Sequence, residues 1–105
     1  MRDRLQSNLC ARFLKALADP ERLKIVQGLQ TGPKTVSDLA ALLEQDLTKV
    51  SHHLGVLRNA GLVTNQRQGK YIVYSLHPDV FRPKAKGQTA DRLDFGCCRL
   101  ELDGV

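Results

Sequence analysis

No stretch of this chain of 105 residues is apolar for long enough to cross a membrane; no hydrophobic run approaches the roughly 20 residues that a helical span needs. The opening segment, "MRDRLQSNLCARF", is charged and has no apolar core of the kind that secretory signals carry. A soluble, cytoplasmic protein with no membrane partner is therefore expected. Cysteine is scarce: Cys10, Cys97 and Cys98 are an odd number, and without an export signal they do not make a disulfide framework. Buried thiols, redox chemistry or a soft metal site are the remaining uses. The chain also lacks a nucleophile elbow, a phosphate-binding loop and a paired acid/base motif, so no enzyme is expected. It contains no internal repeat.

What is present fits one small domain. The hydrophobic content of 42% is ordinary, and a chain this short gains from a partner subunit that covers apolar surface. Net charge is +5 and the pI is near 9.4, which favours a polyanionic partner without specifying one. The local imbalance says more: between Gln45 and Tyr71 the only carboxylate is Asp46.

Leu5, Leu9, Phe13, Ala16 and Leu17 recur at helical spacing and predict an amphipathic helix over about residues 4 to 18. Cys10 falls beside that stripe, where its plainer use is as a small buried hydrophobe. Asp19-Pro20 supplies an N-cap and a first-turn proline for a second helix to about Gln30, with Leu23, Val26 and Leu29 facing inward. After the break at "TGP", Thr35 and Asp38 form an approximate capping box for a third helix that buries Val36, Leu39, Ala40 and Leu43. Asp46 can cap a fourth helix that runs to about Ala60 and stops at Gly61. Two short helices joined by a tight turn are the pattern of a helix-turn-helix. "LVTNQR" and "YIVYSL", joined through Gly69, predict a β-hairpin. Pro83 and Gly87 exclude a long helix after it, although a short helical turn near Pro78–Arg82 is expected. The last apolar segment is "LDFGCCRLEL". A division at 1–82 and 83–105 separates the main domain from a C-terminal extension carrying Cys97-Cys98.

The fourth helix has two faces. Leu47, Val50, Leu54 and Leu57 cluster on one, which predicts the core side. Thr48, Ser51, His52, Gly55 and Asn59 cluster on the other, with no carboxylate among them. Small hydroxyls and a histidine around a glycine suit close approach to another surface, where they can meet phosphates and base edges. His52 and His53 cannot chelate one ion together, because adjacent helical residues diverge by about 100°. His53 falls at the border of the core face, where a half-buried histidine with a local partner is expected.

"LADPERLKIVQGL", "TVSDLAALL", "KVSHHLGVLRNAGLV" and "RQGKYIVYSL" together resemble the ArsR/SmtB family of bacterial winged helix-turn-helix repressors, in order and without gaps from about residue 10 to 77. The most specific part is Ser51–Leu54 followed by Leu-Arg-x-Ala-Gly-Leu-Val at 57–63. The resemblance implies a mainly α fold with a β-hairpin wing (α+β), a homodimer, and repression at a double-stranded DNA operator with inverted-repeat half-sites. It implies that Leu47–Asn59 is the recognition helix and that Arg67, Gln68, Gly69 and Lys70 form the wing. On those elements Thr48, Ser51, His52, Asn59 and Gln68 can reach base edges or phosphates, while Lys49, Arg58, Arg67 and Lys70 neutralise the DNA backbone. DNA binding requires no cofactor on this reading, and Leu5, Leu9 and Phe13 are expected at the subunit interface.

The chain departs from the family where metals are sensed. The third helix reads Val36-Ser37-Asp38-Leu39 where some members carry Cys-x-Cys, and no histidine follows His77 to supply a C-terminal helix site. The resemblance implies that the first helix and the C-terminal element meet at the dimer interface, so Cys10 can meet Cys97 and Cys98 of the same or the other subunit. Three thiolates with no imidazole fit four-coordinate zinc poorly and a pyramidal As(III) or Sb(III) centre well. For both adjacent cysteines to reach one ion the backbone must turn after Gly96. The first expectation is thus a repressor released by As(III) or Sb(III) at Cys10, Cys97 and Cys98. A thiol-based redox or persulfide response of the same fold is the second, and a ligand-independent DNA-binding regulator the third.

Overall fold

The computed structural model describes residues 6–103, so the interface role expected of Leu5 lies outside the described residues. Four helices come first: α1 (Ser7–Leu17), α2 (Pro20–Leu29), α3 (Val36–Leu43) and α4 (Leu47–Asn59), with a two-residue strand β1 (Lys34–Thr35) before α3. Local chemistry sets their starts. The Asp19 carboxylate accepts from the backbone N–H groups of Glu21 and Arg22, and Pro20 opens α2. Thr35 Oγ1 accepts from Asp38 N at 3.1 Å while Asp38 accepts from Thr35 N at 3.0 Å, a complete capping box. Asp46 accepts from Lys49 N at 2.8 Å and starts α4. Gly61, at φ 84°, ends it in the left-handed region that glycine takes without strain.

β2 (Val63–Gln68) and β3 (Tyr71–Leu76) form an antiparallel hairpin in register from Val63↔Leu76 to Gln68↔Tyr71, turning at Gly69-Lys70 with Gly69 at φ 62°. β1 pairs with the other side of β3, so the first sheet has the order β1-β3-β2. Ile25, Val26, Leu39, Val50, Leu54, Leu57 and Leu62 are fully buried where the helices meet this sheet.

The C-terminal part differs from expectation in its second sheet. The expected single helical turn is present, with Val80 N and Phe81 N both donating to His77 O, and beyond it comes a second antiparallel sheet of order β4-β5-β6: β4 (Phe81–Arg82), β5 (Asp91–Asp94) and β6 (Arg99–Leu102). Phe81 and Arg82 pair with Leu93 and Arg92, so this sheet straddles the expected division at residue 82. Leu93, Phe95 and Leu102 join the same hydrophobic core as the helices, and Phe95 stacks on Phe13 of α1 with centroids 4.6 Å apart.

Three apolar positions face otherwise than their spacing predicts. Leu47 and Leu23 are 52% and 38% exposed, and Ile25 takes the core position on α2. Leu47 opens α4 directly after its cap, and the first buried position of that helix is Val50. On α1, Phe13 is half-buried against Phe95, leaving Leu9 and Leu14 as its exposed large apolar side chains.

Candidate nucleic-acid interface and thiol site

The turn between α3 and α4 takes three residues, Glu44 to Asp46, and Glu44 closes α3 in a left-handed conformation at φ 54°. That turn fixes α4 with Val50, Leu54 and Leu57 buried, which leaves Thr48, Lys49, Ser51, His52, Arg58 and Asn59 exposed together. A Cβ placed on Gly55 would meet nothing within 4 Å. The glycine therefore serves no packing need within the chain and leaves the face open to an outside surface. Arg67, Gln68 and Lys70 are exposed at the tip of the β2–β3 hairpin, where Arg67 Nε donates to Gly69 O at 3.1 Å and the Lys70 ammonium lies 5.4 Å from the centre of the Tyr71 ring. Among the described residues none of Lys49, Arg58, Arg67 and Lys70 has an ion pair. Every candidate side chain for DNA contact is thus solvent-facing, on two elements one chain turn apart.

His53 points elsewhere. Its Nε2 lies 3.2 Å from Glu21 Oε2 and its Nδ1 lies 3.3 Å from Arg22 Nη1. Arg22 in turn donates through Nε to the carbonyl of Ala16. The histidine ties α4 to α2, and Arg22 ties α2 to the end of α1. Spacing on α4 marked His53 as half-buried; Glu21 and Arg22 as its partners were not legible, because they belong to a helix thirty residues earlier.

The second constellation gathers all three thiols. Cys10 is buried on α1, while Cys97 and Cys98 sit partly buried in the turn between β5 and β6. The three sulfur atoms lie within 4.8 Å of one another, all from one chain. The turn is built for this. Gly96 adopts φ 86°, Phe95 N donates to Cys98 O at 2.9 Å, and Asp94 accepts from Gly96 N at 2.9 Å. The strand alternation that would send adjacent cysteines to opposite faces is interrupted at that point. The Gly96 N–H, chiefly, holds the Asp94 carboxyl below its ordinary 3.8, with the Arg99 charge adding to it. Cys10 and Cys97 form a disulfide pair with Cα atoms 6.3 Å apart, and Cys98 is the free thiol. A single link of this kind is not a scaffold of disulfides. It is one covalent state that the spacing of these thiols allows. The donor set contains only sulfur, the soft set that a three-coordinate metalloid takes.

Comparison with known proteins bears on both constellations. Residues 19–65 match the model of the arsR family of bacterial regulatory proteins. The regulator NmtR of Mycobacterium tuberculosis is 51% identical over 67 residues, which is 64% of this chain and 56% of that protein. The chain therefore aligns with little more than half the length of that relative. The arsenical resistance operon repressor of Bacillus subtilis is 33% identical over 106 aligned positions, covering 97% of this chain and 94% of that protein. Among solved structures, the homodimeric winged helix-turn-helix DNA-binding domain of a possible ArsR-family regulator from Mycobacterium bovis superposes with a TM-score of 0.68 at 32% identity, over 75% of each chain. No helix among the described residues is long and apolar enough to cross a membrane.

Proposed function

Because the chain belongs to the arsR family of bacterial regulatory proteins, with a winged helix-turn-helix fold, we propose that it is a homodimeric repressor that leaves its operator when As(III) or Sb(III) binds three of its thiolates. The family is one of transcriptional regulators, which supports a non-catalytic role. α4 enters the major groove with Thr48, Ser51, His52 and Asn59, Lys49 and Arg58 neutralise phosphates, and the hairpin tip follows the backbone with Arg67, Gln68 and Lys70.

The observation that carries the inducer is the convergence of Cys10, Cys97 and Cys98 within 4.8 Å. Three thiolates give a trivalent metalloid its full pyramidal shell, and each leaves its proton to solvent on binding. The bound ion joins α1 to the β5–β6 turn within one subunit. α1 also touches the DNA-reading helix through the Ala16–Arg22–His53 chain, so an ion that shifts α1 reaches α4 without crossing the dimer. The redox reading has its own support, since the Cys10–Cys97 spacing admits a disulfide. A disulfide uses two sulfurs, however, and leaves the third thiol in the cluster without a role.

Titration of the reduced protein with arsenite tests the site. One ion per chain is expected, falling to weak or no binding in Cys97→Ser and Cys98→Ser. Stoichiometric binding that survives both substitutions would remove the thiol site from the account.

A further inference from the structure

Between α1 and α4 lies a surface groove of about 400 Å³ that the DNA-reading face and the thiol cluster do not include. It is lined by the apolar Ala16, Val56 and Ala60, by the cations Arg12, Lys15 and Arg22, and by Asn59. No carboxylate lines it. Arg22 is engaged by Ala16, His53 and Asp19, which fixes its charge in place. Arg12 and Lys15 are different: both are exposed, and among the described residues neither side chain has an ion pair or a hydrogen bond. Asp19 answers the charge of Arg22, whereas Arg12 and Lys15 have no carboxylate partner among the described residues, and two such cations beside one groove favour the uptake of negative charge.

We infer that this groove holds a backbone phosphate of the operator, with Arg12 and Lys15 as contacts additional to the recognition helix and the wing. This rests on the reading of α4 as the DNA-binding helix. Continuity singles out the duplex over a free anion. Asn59 lies four and seven residues along α4 from Gly55 and His52, on the same face, so the groove opens beside the surface that meets DNA. Lys49 lies on the flank of α4 that faces the groove, seven residues before Val56. Together they form a cationic track along one side of the recognition helix. A planar guanidinium suits a phosphate with two parallel donors, and the lysine adds a point charge.

The test is operator binding across a salt series for Arg12→Ala/Lys15→Ala, compared with Lys84→Ala/Lys86→Ala, which removes the same charge from the exposed 83–90 loop. The groove variant should bind operator and random duplex more weakly by a similar factor, on the order of tenfold, with a salt slope shallower by about one per half-site. Arg12→Lys/Lys15→Arg should keep the wild-type slope. A groove variant indistinguishable from the loop control would overturn the inference and leave the groove to solvent or to a free anion. If the wild-type protein itself binds no duplex, the reading of α4 fails instead, which is a separate result.

Discussion

His53 Nδ1 lies 3.3 Å from the Arg22 guanidinium, which can only donate, and Nε2 lies 3.2 Å from the Glu21 carboxylate. Both ring nitrogens face α2, so neither is left to face DNA or a metal. His52, one residue earlier, is exposed with the DNA-facing set. The two substitutions should therefore separate cleanly. His53→Ala should lower folding stability by about 1.5–3 kcal/mol, the worth of a hydrogen bond to a charged partner, as read by denaturant unfolding. His52→Ala should leave stability within about 0.5 kcal/mol of wild type and cost about 1–3 kcal/mol of preference for operator over random duplex. Loss of stability in His52→Ala with intact sequence preference would reverse the assignment. The thiols divide in a similar way: Cys10 is a buried core member as well as a proposed donor, so Cys10→Ser should carry a packing cost that Cys98→Ser does not.

At the scale of elements, the β5–β6 turn decides whether three cysteines are a site. Gly96→Ala places a side chain at φ 86°, a strain of roughly 1–3 kcal/mol, and should weaken metalloid binding along with stability. A variant with a lowered Tm and undiminished arsenite affinity would show that the turn geometry is not what gathers the thiols. The same turn contributes a pH dependence. The Asp94 carboxyl is held below 3.8 in the folded protein, chiefly by the Gly96 N–H, so its ionised form stabilises the fold. That contribution is fully present above 3.8 and is lost as pH falls through the lower folded value. Asp19, Asp38 and Asp91 are shifted in the same direction, chiefly by the backbone N–H groups of Arg22, Thr35 and Lys84. Unfolding midpoints should hold steady from neutrality to about pH 4 and fall below it, less steeply in Asp94→Asn. A decline that begins between pH 5 and 7 would point to groups other than these carboxylates.

The helices and their caps were legible because capping is local: Asp19, Thr35 with Asp38, and Asp46 act within three residues of themselves. The wing was legible for the same reason, from two β-rich runs around Gly69. The second sheet was not, since its strands have only two to four residues and pair across a loop from 83 to 90. Its signal was the alternation of "DRLD" and "RLEL" about Gly96. The three thiols were legible as candidates. Their convergence within one subunit was not, because it depends on that sheet packing against α1. Arg12 and Lys15 gave only a faint signal, two cations three residues apart on the polar side of the first helix.

At the scale of the whole molecule, one protomer presents a single α4, and a helix of thirteen residues reads only a short site. Two protomers related by a dyad should place their recognition helices in successive major grooves of an inverted repeat, about one helical turn apart. The exposed Leu9 and Leu14 on α1 provide apolar surface for such a contact. Sedimentation should show a dimer at micromolar concentration, and Leu9→Glu/Leu14→Glu should shift it toward monomer; an unchanged dimer would move the interface elsewhere. Arg67→Ala or Lys70→Ala should weaken all duplexes alike and flatten the salt slope by about one per half-site.

The central claim is that a soft trivalent ion at Cys10, Cys97 and Cys98 and the operator at α4 disfavour one another. Linkage requires the ion to bind the DNA-free dimer more tightly than the DNA-bound one, by the factor with which it weakens DNA binding. The most direct measurement is operator affinity of the reduced protein with and without arsenite, in wild type and in Cys97→Ser/Cys98→Ser. The account predicts a loss of roughly thirtyfold to a hundredfold for wild type, about 2–3 kcal/mol of coupling, and none for the double variant. Equal release of both proteins by arsenite, or an unchanged wild-type affinity when arsenite is bound, would contradict it.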